Sequence, residues 1–191
     1  MMKYVLITLA VVLLAVMAYL LLFTDVIAKN KDQIPEEIID GGHNDSSNED
    51  APKLVKSDEI TSFSLVFSTL SWADEEYFGE GIYRLEAVKT EKDVLCKYQF
   101  NPYYGDREAA EFRTNEGFLK KLDEVVKRYN LSIHNGKNVF VSGLPDMYGE
   151  EIDVVYASGE SICAYDNQDG FIGRDAIFEI EKLFTDETET E

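Results

Sequence analysis

The chain has 191 residues, of which 37 are acidic and 18 basic, a formal charge of −19. A polyanion of that strength is repelled by nucleic-acid backbones and by anionic lipid surfaces, which removes both as partners. With 45% apolar residues, four prolines and twelve glycines, the chain is neither collagenous nor low in complexity and reads as one folded domain with extras.

Residues 4–23 form an almost unbroken apolar run, YVLITLAVVLLAVMAYLLLF, with Thr8 as its one markedly polar residue and no charge. Such a run in helical form spans roughly 30 Å, the thickness of a bilayer core. Val16-Met17-Ala18 offers a small-residue cleavage site, so a removed signal peptide is the competing reading. The run continues through Leu20 to Phe23, which favours an uncleaved, single-pass signal-anchor over residues 1–23. No cysteine follows it to support a lipoprotein start. Lys3 precedes the run, and Lys29 and Lys31 follow it, a count that leans against an outward domain. The very short amino-terminal tail is that of a secretory anchor, and the reading adopted places the domain outside the cytoplasm.

Residues 24–57 carry eight acids and four lysines and, around DGGHNDSSNEDAP, no apolar period. Such a stretch buries too little apolar surface to offset its ordering entropy, and it reads as a disordered acidic stalk. The folded domain is expected over 58–184, with a disordered acidic tail at 185–191. In TSFSLVFST, residues 61–69, Phe63, Leu65 and Phe67 alternate with serines, the pattern of a half-buried strand. Further strands are expected at 81–88 and 94–100. An amphipathic helix is expected over 115–129, where Phe118, Leu119, Leu122, Val125, Val126 and Tyr129 form one stripe. Thr114 is its expected N-cap, and Asp123/Lys127 and Glu124/Arg128 are its ion pairs. Asn135-Gly136 then reads as a hairpin turn between residues 131–133 and 139–141. Residues 151–157 and 161–165 read as a second hairpin, and 175–184 as a short closing helix. The order predicts an α+β fold: an N-terminal transmembrane helix, then an antiparallel sheet with one long amphipathic helix and a short C-terminal helix.

The chemistry is sparse. His43 lies in the stalk, and His134 is the domain's one imidazole, beside a turn where a surface role outweighs a catalytic one. No nucleophile elbow, phosphate loop, dinucleotide fingerprint or zinc-protease motif is present. Cys96 and Cys163 fall in predicted strands; a free buried pair, a disulfide and a reactive thiol all stay open, in that order. Acids gather at Asp74-Glu75-Glu76, at Asp146 with Glu150, Glu151 and Asp153, and at Asp166 with Asp169 and Asp175. The second group is the region a carboxylate hydrolase would use. The run Asp166-Asn167-Gln168-Asp169-Gly170 fails the spacing of a calcium loop and reads as a turn capped by its own side chains. Trp72, Tyr77, Phe78, Tyr103, Tyr104 and Tyr148 are either a binding platform or the plugs that close the sheet ends.

Three segments resemble a loosely defined, uncharacterised family of membrane-anchored proteins from Gram-positive bacteria. They are Ile60-Thr61-Ser62-Phe63-Ser64, then Val141-Ser142-Gly143-Leu144-Pro145-Asp146, then Val155-Tyr156-Ala157-Ser158-Gly159-Glu160 leading to Asp166-Asn167-Gln168. The resemblance implies an α+β domain held at a bacterial envelope and brings no known activity or site residues with it. The expectation is therefore a non-catalytic binding or interaction module without cofactor, metal or nucleic-acid partner. Its partners would be the membrane, through the N-terminal run, and an envelope protein or glycan. A carboxylate-based envelope hydrolase is the alternative.

Overall fold

The computed structural model describes residues 42–70, 72, 78–143 and 149–188. The apolar run 4–23 and its expected transmembrane helix lie outside the described residues. Among the described residues no helix is long and apolar enough to cross a membrane.

Eight strands make one sheet: β1 (His43–Asp45), β2 (Ile60–Ser68), β3 (Gly81–Lys89), β4 (Val94–Pro102), β5 (Glu108–Thr114), β6 (Asn138–Val141), β7 (Glu150–Tyr156) and β8 (Ser161–Asp166). Two helices accompany them, α1 (Gly117–Arg128) and α2 (Arg174–Thr188). The strand order is β1-β6-β8-β7-β2-β3-β4-β5. The expected antiparallel sheet is corrected here. All neighbours run antiparallel except β6 and β8, which are parallel, so the sheet is mixed. Short turns between successive strands dictate antiparallel pairs, but β6 does not pair with its successor β7. It lies beside β8 and takes up a direction that no local turn sets. The Asn167 side chain prolongs this pairing, donating to the Val141 carbonyl at 3.0 Å and accepting from the Val141 N–H at 2.9 Å.

The expected short closing helix is also corrected. With fifteen residues α2 outlasts α1, which has twelve, and it runs through part of the acidic tail. Both helices cover one face of the sheet. The inward positions of β2 (Phe63, Leu65, Phe67) are wholly buried, as are Leu85 and Ala87 of β3 and Ile152 and Val154 of β7. They pack against Phe118, Leu122 and Val126 of α1 and Ile177, Ile180 and Phe184 of α2 in one core. The opposite face is solvated, and there Glu86, Lys97 and Glu111 stand across from one another in register. The N-cap of α1 falls on Glu116 rather than Thr114, without a side-chain cap, and the Asn115 side chain just before it accepts from the Gly117 N–H at 2.9 Å. Asn130 takes the left-handed position after the helix, at φ 51°.

Three local readings change. Strand β5 went unread because only Phe112 in it is buried, as suits an edge strand. Residues Leu131–His134 form a 3-10 turn instead of a strand, so Asn135-Gly136 is not a hairpin turn. Buried Asn135 instead ties three segments together. Its amide donates to the Pro52 and Ser161 carbonyls at 2.9 and 3.1 Å and accepts from the Cys163 N–H at 2.9 Å. The segment from Gly42 to Ser57, read as the end of the stalk, lies on the domain. Its strand β1 pairs with β6, and Glu160 accepts from the Lys56 and Ser57 N–H groups at 3.0 and 2.9 Å. Gly136, at φ 83°, is what lets it settle. A Cβ there would strike the Asn48 carbonyl oxygen and come within 2.6 Å of the Ala51 Cβ.

Candidate functional site

The recess with the most unusual chemistry lies between α1 and the ends of β2 and β3, a cleft of about 400 Å³. Ile60 and Leu119 contribute its apolar wall. Five acids line it (Asp58, Glu59, Glu116, Asp123 and Glu124) against two lysines, Lys89 and Lys120. Lys89 is already committed, with its ammonium 2.9 Å from Glu59 and 3.2 Å from Glu116. Those two carboxylates hold the Lys89 ammonium above its ordinary pKa.

Asp123 was read as half of a helical ion pair, and the pair exists, with Lys127 Nζ 2.7 Å from Oδ2. The carboxylate itself is 4% exposed. The signal was present in the spacing, because Asp123 stands four residues after Leu119 and beside Leu122, on the buried stripe. Its other oxygen, Oδ1, is fully buried, as is the hydroxyl of Tyr156. That hydroxyl stands beside Asp123 and shares a hydrogen bond with its carboxylate. Burial first, and then the Asp123 charge, pushes the phenol well above its ordinary ionisation range. Buried polar atoms are nearly always satisfied, and here the two buried side chains answer each other.

The other predicted residues divide as follows. Asp74, Glu75, Glu76, Tyr77, Asp146 and Tyr148 lie outside the described residues. Glu150 and Asp166 meet as cross-strand partners, both buried, and their oxygens are in use. Glu150 accepts from the Phe171 and Ile172 N–H groups, both at 2.6 Å. Burial still pushes its carboxyl above the usual range, and Asp166 adds to that. Asp166 binds Lys137 at 2.8 Å and accepts from the Gln168 and Asp169 N–H groups, the side-chain-capped turn expected of this run. Strand alternation sends Glu151 and Asp153 to the opposite, solvated face. There burial and then Asp153 raise the Glu151 carboxyl pKa. The proposed hydrolase region is thus split between the two faces.

His134 touches Phe171, ring centroids 5.2 Å apart. Burial, and then the Lys137 and Lys53 charges, lower its pKa. Cys96 and Cys163 are free thiols. Four strand spacings separate β4 from β8, roughly 19 Å, well beyond the Cα span a disulfide tolerates. Burial pushes Cys96 up to about 12 and Cys163 up to about 11, which leaves little thiolate at neutral pH. Cys163 is exposed, so the buried-pair reading holds for Cys96 alone. Trp72 and Phe78 close the core, ring centroids 5.4 Å apart, and Arg174 lies over the Trp72 ring at 5.0 Å. Tyr103 and Tyr104 remain exposed as an edge-to-face pair. Among the described residues no three His, Cys, Asp or Glu side chains are grouped to hold a metal ion.

One acid outside these groups titrates near neutrality. Burial on α2 pushes Glu181 up to about 7, with Asp186 adding to the rise and the Tyr98 hydroxyl, 3.5 Å away, opposing it. Its folded pKa lies above the ordinary 4.5, so the stability it contributes is complete below 4.5 and lost as pH rises through about 7. Glu181→Gln should therefore raise the melting temperature at about pH 8.5 by roughly 3 °C, allowing for partial solvent access, and do little near about pH 4. Equal shifts at both pH values in a thermal scan would show that Glu181 does not carry this dependence.

No family model, curated protein or solved structure matches the chain.

Proposed function

We propose that this chain is a membrane-held, extracytoplasmic binding module whose ligand enters the cleft beside α1. The observation that carries the binding reading is the cleft itself, where Ile60 and Leu119 form an apolar wall among five acids. The uncharged run over residues 4–23 supports attachment to a membrane, and the resemblance to anchored Gram-positive proteins points to the cell envelope. The charge of −19 favours neutral or cationic envelope components over nucleic acid. The hydrolase alternative retains Glu151 and Asp153 on the solvated sheet face, where a substrate would lie flat. The cleft reading is preferred because a recess removes more of a ligand's surface from water than a flat sheet face does.

Two measurements on intact cells test the proposal. Protease shaving should release the domain; survival until lysis would reverse the orientation. A photo-crosslinking residue replacing Lys120, at the cleft, should form an adduct that the same residue replacing Lys97, on the open face, does not. Equal labelling at both positions would remove the cleft as the site.

A further inference from the structure

The two edges of the sheet are protected unequally. On one side β6 is covered by β1, a strand of three residues, and so short an edge offers little to pair with. On the other side the sheet ends at β5. Among the described residues only β4 pairs with it, so a row of its N–H and C=O groups faces outward along seven residues. Its register with β4 runs from Thr114 to Glu108 without a bulge, and it contains no proline. The short side chains of Ala109 and Ala110 leave an approaching chain room. What guards this edge is charge: Glu108, Glu111 and Arg113 are exposed, and Arg113 is already held by Asp93 at 2.7 Å. A recess of about 430 Å³ opens where β5 begins. Phe100, Pro102 and Tyr104 give it apolar surface, and Glu80, Asp106 and Glu108 make it acidic. Tyr104 is 82% exposed, its ring edge to face with that of Tyr103 at 4.8 Å. The turn from β4 to β5 holds the pair outward: the Tyr103 N–H donates to the Glu80 carbonyl at 2.9 Å, and Gly105, at φ 115°, reverses the chain. An exposed aromatic face beside carboxylates suits a long cationic side chain, with its stem on the ring and its head among the acids. An acidic segment would be repelled. So would a second copy, because antiparallel pairing of β5 about its midpoint sets Glu111 against Glu111.

We propose that β5 is a docking edge for an extended basic segment of another protein, which adds a further strand to the sheet and seats an arginine or lysine side chain in the recess against Tyr104. Main-chain bonds along β5 supply the affinity, and the recess selects the side chain. The acids that deter a second copy of this chain are the ones that draw a basic partner in. The surface shares no residue with the cleft beside α1 and stands apart from the reading given to that cleft.

The test uses the full chain, isotope-labelled and held in a non-ionic detergent at about 150 mM salt, which screens diffuse attraction to the acidic surface. It is titrated with a peptide as long as β5 in which arginine and valine alternate, while the backbone amide resonances are followed. Two control peptides accompany it: one with glutamate in place of arginine, and one with every backbone amide N-methylated, which keeps the charge but cannot donate to a strand. The arginine peptide should shift the amides of Tyr104, Gly105 and residues 108–114 in a saturable way and slow their hydrogen exchange. N-methylation should weaken binding about tenfold or more, and the glutamate peptide should not bind. Tyr104→Ala, at an exposed position that leaves the fold intact, should weaken the arginine peptide about threefold or more. Equal binding of the N-methylated peptide would reduce the effect to charge alone and overturn strand addition. Equal binding of the glutamate peptide, unchanged affinity in Tyr104→Ala, or no binding at all would also overturn the proposal. Shifts confined to Gly117 and Leu119 would place the peptide in the cleft beside α1, overturning the docking edge while leaving the cleft reading intact. A dimer in sedimentation with β5 amides protected before any peptide is added would give the edge to a second copy and overturn the assignment.

Discussion

Phe63→Ala is expected to lower the stability of the fold by about 3–5 kcal/mol, the range for a large aromatic removed from a packed core. Phe63 sits on the central strand β2, wholly buried, with Ala87 of β3 and Val154 of β7 as its register partners. The ring fills space that its small neighbour Ala87 leaves open, and backbone pairing on both sides of β2 prevents the strand from closing the gap. A domain of this size is stabilised by about 5–15 kcal/mol in total, so the variant should stand close to unfolding at 37 °C. Urea titration followed by fluorescence checks it. A midpoint within about 0.3 M of the parent, less than 1 kcal/mol at ordinary denaturant slopes, would mean that Phe63 is not where the fold places it.

Glu150→Ala is the second large effect, and it separates a structural carboxylate from a catalytic one. The Glu150 side chain holds the start of the loop before α2 through two amide N–H groups, those of Phe171 and Ile172. Alanine leaves both donors empty at a place where Ile172 is itself part of the core. Charge-assisted bonds of this kind are worth about 1.5–3 kcal/mol each, and with partial relaxation of the loop the expected loss is about 3 kcal/mol. Glu150→Gln keeps an acceptor and should lose about half as much. Gly170 leaves room for the carboxylate: a Cβ there would stand 2.8 Å from Glu150 Oε1. Hydrogen exchange is the discriminating measurement, because protection should fall first at Phe171 and Ile172. Unchanged protection at those two amides would contradict the anchoring role.

Local patterning was strong enough to reveal β2, β3, β4, β7, β8 and helix α1 before any coordinates. Each carries an apolar period that matches its backbone period, and each buries the face that period marks. The Asx-capped turn at Asp166 and the left-handed Asn130 were legible for the same reason, since their hydrogen bonds close within a few residues. What the pattern cannot carry is any pairing made across long separations. The parallel β6–β8 contact, the docking of Gly42 to Ser57 along the 3-10 turn, and the role of Asn135 as a tie between three segments all join residues far apart in the chain.

The candidate site was the least legible part. Five acids and two lysines near a helix look like a solvated face until β2 and β3 close over one of them. The sequence by itself determined the charge, the apolar run, the amphipathic helix and the alternation that splits Glu150 from Glu151 and Asp153. Only the tertiary structure decided that Cys96 and Cys163 stand four strands apart, that the sheet is mixed, and that Asp123 is buried beside Tyr156. The reason is physical: periodicity says which side of an element faces inward, while the depth of burial and the partners found there depend on what the rest of the chain brings to that side.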